Sequence, residues 1–183
     1  MRALLLLLVL LTGCATQKPV AVQRMPQADT PFTFSGRIAL KQGSSRDGTG
    51  IRWTHDDADE ILLLGPLGYT AARIYSDAHG ATLEDAYGKK YSGADAESLM
   101  EKAAGWSLPL TGLSYWIKAV PAPQGESAIE RNADGQINLI EQQGWTLRYL
   151  RFNSKQANAL PLQILMLREG VEVTVVIDEW QVP

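Results

Sequence analysis

The stretch FTFSGRIAL, residues 32–40, alternates strictly: Phe32, Phe34, Gly36, Ile38 and Leu40 fall on one side, Thr33, Ser35 and Arg37 on the other. Successive side chains of an extended chain point to opposite faces, so a period of two sets an apolar face against a wet one. The pattern predicts a half-buried antiparallel strand, with its polar face in water.

The same period recurs on either side of a short helical interlude. GSSRDGTG (43–50) reads as a polar loop, and GIRWTH (50–55) resumes with Ile51 and Trp53 on one side. DDAD (56–59) turns the chain into Ile61–Leu64, too uniform to assign faces, and Tyr69–Tyr75 follows as the next strand. ATLEDAYGKKYS (81–92) supplies one or two weak strands. Beyond the interlude, Asp134-Gly135 and Glu169-Gly170 each sit between two apolar runs, a hairpin signal. Trp145, Leu147 and Tyr149 share one face of their run, and Val171, Val173, Val175 and Ile177 share one face of theirs.

The interlude carries two helix signals. SGADAESLMEKAAG (92–105) places Ser92 and Asp95 at capping-box spacing before good helix formers, with Gly105 as a stop. LPLTGLSYWIKAVP (108–121) admits a start at Pro109, with Leu110, Leu113, Trp116 and Ile117 on one face. Gly112 weakens that helix, and Pro121 ends it. The reading is thus mainly β with short helices: one curled antiparallel sheet forming an incomplete barrel, with a helical lid. Two helices of this length offer little material to fill the concave side, so a ligand-sized apolar cavity is possible. Periodicity alone leaves a filled core equally open, and the tryptophans Trp53, Trp106, Trp116, Trp145 and Trp180 fit either a cavity wall or a core.

The N-terminus reads differently. Arg2, an apolar run from Leu4 to Leu11, and Leu11-Thr12-Gly13-Cys14 have the length and flanks of a bacterial signal peptide ending in a lipobox. Residues 1–13 are therefore expected to be a leader, and Cys14, the sole cysteine, the lipidated residue. Residues 14–31 hold three prolines and no periodicity, which predicts a lipidated N-terminus and flexible tether. Such a tether has a root-mean-square span of about 20–25 Å. Residues 32–183 form the single folded domain.

Composition excludes several classes. The chain has 183 residues, 45% hydrophobic and 20% charged, with a formal net charge of −3. Nothing resembles the basic footprint of a nucleic-acid binder. His55 and His79 lie in polar, turn-like contexts, and neither a Gly-x-Ser-x-Gly elbow, a His-Glu-x-x-His pair nor a phosphate loop occurs. HDDADE (55–60) lacks the glycine and final glutamate of a calcium loop. These residues point away from an enzyme, a cofactor and a metal site.

One stretch stays unexplained by folding alone. In GPLGYT (65–70), Gly-Pro and Leu-Gly are turn chemistry, which puts Leu67 at the tip of a tight loop with no core to fill.

The lipobox, FSGRIAL, GIRWTH, GPLGYT, GWSLPLTGLSYWIKA, DGQINLIEQQGWTLRY and LPLQILML…VEVTVVIDEW occur in one order over nearly the whole chain. That combination resembles the LolB family of outer-membrane lipoprotein receptors; the Gly/Ser-rich 43–50 stretch departs from the family pattern. The resemblance implies a half-open barrel with a helical lid, related to the periplasmic carrier LolA. It implies acceptance of acylated lipoproteins from a LolA-type carrier and their insertion into the outer membrane, with acyl chains and outer-membrane lipid as partners. Covalent chemistry, cofactor and nucleic acid play no part. The absence of aspartate after Cys14 accords with an outer-membrane anchor facing the periplasm. On the same basis Leu67, presented by Gly65, Pro66 and Gly68, is expected to contact membrane. Phe34, Ile38, Trp53, Leu113, Trp116, Ile117, Trp145, Leu147, Val173 and Val175 are expected to line an acyl-chain cavity. The rival reading is a lipoprotein with a filled core that scaffolds or binds partners.

Overall fold

The computed structural model describes residues 30–104 and 108–183. The expected leader, Cys14, most of the expected tether, the Gly105 stop and Trp106 lie outside the described residues.

The strands are β1 (Phe32–Gln42), β2 (Ser45–His55), β3 (Asp59–Leu64), β4 (Thr70–Asp77), β5 (Gly80–Asp85) and β6 (Lys90–Gly93), then β7 (Ser127–Arg131), β8 (Ile137–Gln142), β9 (Trp145–Phe152), β10 (Pro161–Arg168) and β11 (Val171–Gln181). Helices α1 (Ala96–Ala104) and α2 (Leu110–Trp116) lie between the two groups. All join one sheet in the order β6-β5-β4-β3-β2-β1-β11-β10-β9-β8-β7. Each half is a meander of antiparallel hairpins, and the last strand returns to pair with the first. The order is open, with β6 and β7 at its ends.

The alternation read in FTFSGRIAL sets the register of the seam. Ile38 faces Val175 and Leu40 faces Val173 on β11, while Phe34 faces Trp53 on β2. The apolar row continues through Trp53–Ile61, Ile61–Ile74 and Ile74–Leu83 in one direction. In the other it runs through Val175–Ile164, Ile164–Tyr149 and Leu147–Ile140. A one-residue slip would turn all of these to solvent, so burial itself specifies the pairing. Gly36 belongs to the row for a steric reason. A bulge between Ser35 and Gly36 presses β11 close, and a Cβ on Gly36 would overlap the Val176 carbonyl.

Two readings need correction. The stretch 43–50 is not a loop: only Gly43 and Ser44 turn, and Ser45–Gly50 pairs residue by residue with β1. Its polar side chains lack an apolar signal because this half of β2 is largely solvent-facing and is held by backbone pairing. Ser92 does not cap α1 but belongs to β6; Asp95 is the cap, its Oδ1 accepting the Ser98 N–H (2.7 Å) and hydroxyl (2.8 Å). These bonds, to Ser98's backbone N–H first, lower the Asp95 pKa. Helix α2 forms where expected, but it ends at Trp116 with Ile117 as its C-cap, and the chain turns through Ala119 (φ 57°) before Pro121 is reached. Gly112 serves it after all: a Cβ there would meet the Trp116 ring at 2.9 Å.

The strands define two rims. β1, β3 and β5 run to one rim, which holds the turns at 43–44, 65–69 and 86–89; the turns at 143–144 and 169–170 join them there. The opposite rim holds the turns at 56–58, 78–79 and 132–136, and β1 begins there. At that rim Lys118 Nζ donates to the Thr30 carbonyl (3.2 Å) and stands 5.1 Å from the Phe32 ring centre.

Candidate functional site

Burial gathers the inner faces of both meanders and the lid into one apolar cluster. All ten residues expected to line a cavity lie in it, each at most 3% exposed. Phe34, Ile38, Trp53, Trp145, Leu147, Val173 and Val175 come from the sheet; Leu113 and Trp116 come from α2, with Ile117 as its C-cap. An acyl chain can reach this face only by displacing the groups that now cover it.

The lid is attached unevenly. α1 lies over β4, β5 and β6. Polar bonds fix the end of α2 to the other half. Trp116 Nε1 donates to Gln142 Oε1 (2.8 Å), and the Tyr149 hydroxyl donates to the Trp116 carbonyl (2.8 Å). Gln142 is 3% exposed and does more. Its Oε1 also accepts the Ala122 N–H (2.8 Å), and its Nε2 donates to the Ala122 (2.8 Å) and Gln124 (3.1 Å) carbonyls. One amide thus fixes both the end of the lid and the link that follows it. Burial drives the Tyr149 phenol well above its ordinary pKa, so it stays a hydrogen-bond donor.

Between the helices and β2–β3 lies a crevice of about 250 Å³. Trp53 and Ile61 line it from the sheet, Ala96 and Glu97 from α1, and Leu110, Ser114 and Tyr115 from α2. Asp59 Oδ1 anchors its wall, meeting Trp53 Nε1 and His55 Nδ1 at 2.7 Å each. His55 therefore ties the ends of the 56–58 turn, as its context suggested, and stacks on Phe32 with ring centres 5.0 Å apart. The crevice is smaller than the roughly 300–1,000 Å³ usual for a small-molecule site. Alone it is a seam in the lid. Trp145 Nε1, by contrast, is buried without a partner, whereas the indoles of Trp53, Trp116 and Trp180 all have one.

Leu67 sits apart, on the rim away from this crevice. It occupies a 3-10 turn, Pro66–Gly68, at φ 67° and ψ 9°. Its exposure is 107%, so it touches nothing in the fold. The Gly68 N–H donates to the Gly65 carbonyl (3.0 Å), and the Gly65 N–H to the Tyr69 carbonyl (2.8 Å). Tyr69 lays its ring where a Cβ of Gly65 would stand. A left-handed conformation costs a non-glycine residue about 1–2 kcal/mol. Folding gains nothing visible from placing a leucine there.

Sequence reasoning missed Gln142, Asp59 and Tyr149 as the polar ties of the lid and its seam. Asp59 stood inside a run read as a solvated turn, and Gln142 at a polar strand end; only the tertiary pairing engages the first, which stays partly exposed, and buries the second. Among the described residues no group of three His, Cys, Asp or Glu side chains could hold a metal ion.

A family model described as outer membrane lipoprotein LolB matches residues 30–180. The chain is 38% identical to the outer-membrane lipoprotein LolB of Chromobacterium violaceum, with 97% of each chain covered. It is 37% identical to that of Thiobacillus denitrificans, covering 93% of this chain and 91% of the relative. Among solved structures, a DUF1329 family protein from Desulfovibrio piger aligns with a TM-score of 0.54 at 8% identity, covering 86% of this chain and 87% of the other. A putative outer membrane lipoprotein-sorting protein domain from Vibrio parahaemolyticus aligns with a TM-score of 0.51 at 10% identity, covering 84% and 85%. Those two likenesses concern the fold alone.

Proposed function

The chain belongs to the LolB family of outer-membrane lipoproteins, and from that membership we propose that it takes acylated lipoproteins from a LolA-type periplasmic carrier and inserts them into the outer membrane. The lipid on Cys14 anchors it there, facing the periplasm. Acyl chains of the cargo enter the apolar face lined by Phe34, Trp53, Leu147 and Val175 beneath α2, and Leu67 meets the bilayer when they leave. The reaction is transfer between apolar environments, without bond making or breaking.

The observation that carries this reading is the pairing of a largely apolar concave face, lidded by two short helices, with a fully exposed leucine on a strained turn. Each methylene moved out of water is worth about 0.8 kcal/mol, so acyl chains cross an aqueous space only when shielded. Contacts on this face are almost all apolar, so they do not fix one ligand geometry, and release needs no directional bonds to break. The crevice beside Trp53 runs between the lid and the sheet, and we place the first opening there.

The test is a two-step transfer. A carrier loaded with labelled lipoprotein is mixed with the full-length protein, and then liposomes are added. Label should pass first to this protein and then to the liposomes, and Leu67→Glu should slow only the second step. A carboxylate resists leaving water, whereas the apolar face that accepts cargo is untouched by it. If no label leaves the carrier, and fluorescent fatty-acid analogues are not taken up, the interior is a filled core and the protein is a scaffold.

A further inference from the structure

Three turns of the sheet share one backbone pattern. In Gly65–Tyr69 the first N–H donates to the fifth carbonyl (2.8 Å) and the fourth N–H to the first carbonyl (3.0 Å). Asp85–Lys89 repeats both bonds at 3.0 Å, and Asn132–Gln136 repeats them at 2.9 and 3.0 Å. The fourth residue is each time a glycine at positive φ: Gly68 at 82°, Gly88 at 78° and Gly135 at 80°. The third residue is the tip. It is Leu67, Tyr87 and Asp134 in turn.

The hydrogen-bond pattern recurs although only Leu67 among the three tips has a positive φ, so the pattern itself does not dictate the tip residue. Asp134 lies on the rim where β1 begins, and is polar as an exposed tip ordinarily is. Leu67 and Tyr87 lie on the other rim, on the neighbouring β3–β4 and β5–β6 hairpins. Among the described residues they are the only large apolar side chains more than nine-tenths exposed, at 107% and 97%. Two strand spacings separate their hairpins, roughly 10 Å. Their heights also differ. Leu63 and Asp85 both pair with Ala72, yet the Leu67 turn opens at Gly65 and the Tyr87 turn at Asp85 itself. The leucine thus stands two residues farther out, about 7 Å.

We propose that Tyr87 is a second membrane-contacting residue, lodging at the headgroup level of the bilayer while Leu67 reaches the acyl boundary. This rests on the reading of Leu67 as the residue that meets lipid. The order of depth suits the side chains: leucine is wholly apolar, whereas tyrosine carries a hydroxyl that keeps its water and favours the interface. One contact leaves the domain free to roll about it. Two contacts at unequal depth fix an axis, and with it the tilt at which cargo is handed over. Charge plays a small part, because Lys90 pairs with Glu84 (3.6 Å) and Lys89 shares its turn with the Asp85 carboxylate. Binding at this corner is therefore expected on zwitterionic lipid and at high salt.

The experiment uses the full-length lipidated protein in zwitterionic liposomes. A fluorophore is attached to a single introduced cysteine: Leu67→Cys, Tyr87→Cys or, on the matched turn of the opposite rim, Asp134→Cys. Nitroxides at the headgroup or along the acyl chain act as quenchers. Labels at 67 and 87 should be quenched several-fold more than the label at 134, with the headgroup nitroxide better at 87 and the acyl nitroxide better at 67. Quenching at 67 but no more at 87 than at 134 would overturn the inference and leave the Leu67 reading intact. Quenching at neither, in protein that still transfers cargo, would overturn both. In the two-step assay, Tyr87→Glu should slow insertion roughly tenfold and spare acceptance, and Tyr87→Trp should retain both. Loss of acceptance with Tyr87→Glu would make this corner a carrier-docking surface and refute the proposal.

Discussion

Replacing Leu67 by glycine should move stability and transfer in opposite directions. The side chain is fully exposed, so its removal forfeits no packing. Its φ of 67° lies in the left-handed region. Glycine adopts that region freely, which relieves about 1–2 kcal/mol. Glycine also loosens the unfolded chain, which takes back about 0.4–1 kcal/mol. The net is between zero and about 1.5 kcal/mol of added stability, or a Tm raised by up to about 5 °C. Membrane insertion loses what a buried leucine supplies, about 1.5–3 kcal/mol. At about 1.4 kcal/mol per decade this slows liposome transfer roughly 10- to 150-fold if the side chain is fully buried as cargo moves. Leu67→Ala separates the two effects, because alanine keeps the strained backbone: its Tm should stay at the wild-type value while transfer still falls. Thermal unfolding by circular dichroism and timed transfer to liposomes read both quantities. A Tm lowered by more than about 3 °C in Leu67→Gly would mean the leucine is packed. Wild-type transfer by Leu67→Gly would mean that the strained turn presents nothing to the membrane.

Other perturbations probe the lid and the seam. Gln142→Leu strands the Trp116 indole N–H and the Ala122 N–H. It should cost roughly 2–6 kcal/mol in urea unfolding; a loss below 1 kcal/mol would show that the lid does not depend on this amide. Gly36→Ala drives a methyl into the Val176 carbonyl. It should destabilise by about 1–3 kcal/mol or more through the β1–β11 seam, and an unchanged midpoint would refute the close approach. Tyr149 gives a pH signature. Its folded pKa is raised above the ordinary 10.0 by burial. Its contribution is thus complete below pH 10 and lost as pH rises beyond, by about 1.4 kcal/mol per pH unit. Tyr149→Phe should remove that slope between pH 10 and 11.5, and a slope unaltered in the variant would assign it elsewhere.

The sequence disclosed those parts of the fold that side-chain burial encodes. Trp145, Leu147 and Tyr149 could be put on one face because each of them is buried and the residues between them are not. The early half of β2 was illegible for the converse reason: Ser45–Gly48 is exposed and is a strand only because β1 lies beside it. Nor could local pattern say that β11 returns to β1, since that pairing joins residues more than a hundred positions apart. At the candidate site, the apolar residues of the lid and sheet were readable from period alone. Gln142 was not, because a glutamine at a strand end is ordinarily wet and becomes a tie only when Trp116 and Ala122 arrive above it. Tyr87 was hidden too: its turn looks like any other until the sheet order places it next to Leu67.

The chain enters the sheet at one rim and offers Leu67 at the other, so if a lipid on Cys14 anchors the protein as proposed, the number of residues before Thr30 decides whether that far rim can reach the membrane. β1 has 11 residues, a climb of roughly 35 Å from the rim at Phe32. From Cys14 to Thr30 there are sixteen residue steps, at most about 55 Å when fully drawn out. A lipid on Cys14 could therefore hold the domain while it turns over and brings its far rim down onto the membrane that anchors it, with about 20 Å to spare. Removing eight residues of the segment would leave about 27 Å, less than that climb. A receptor so shortened would still take cargo from a carrier arriving from the periplasm. It would then hold that cargo, tethered upright, unable to bow to its own membrane.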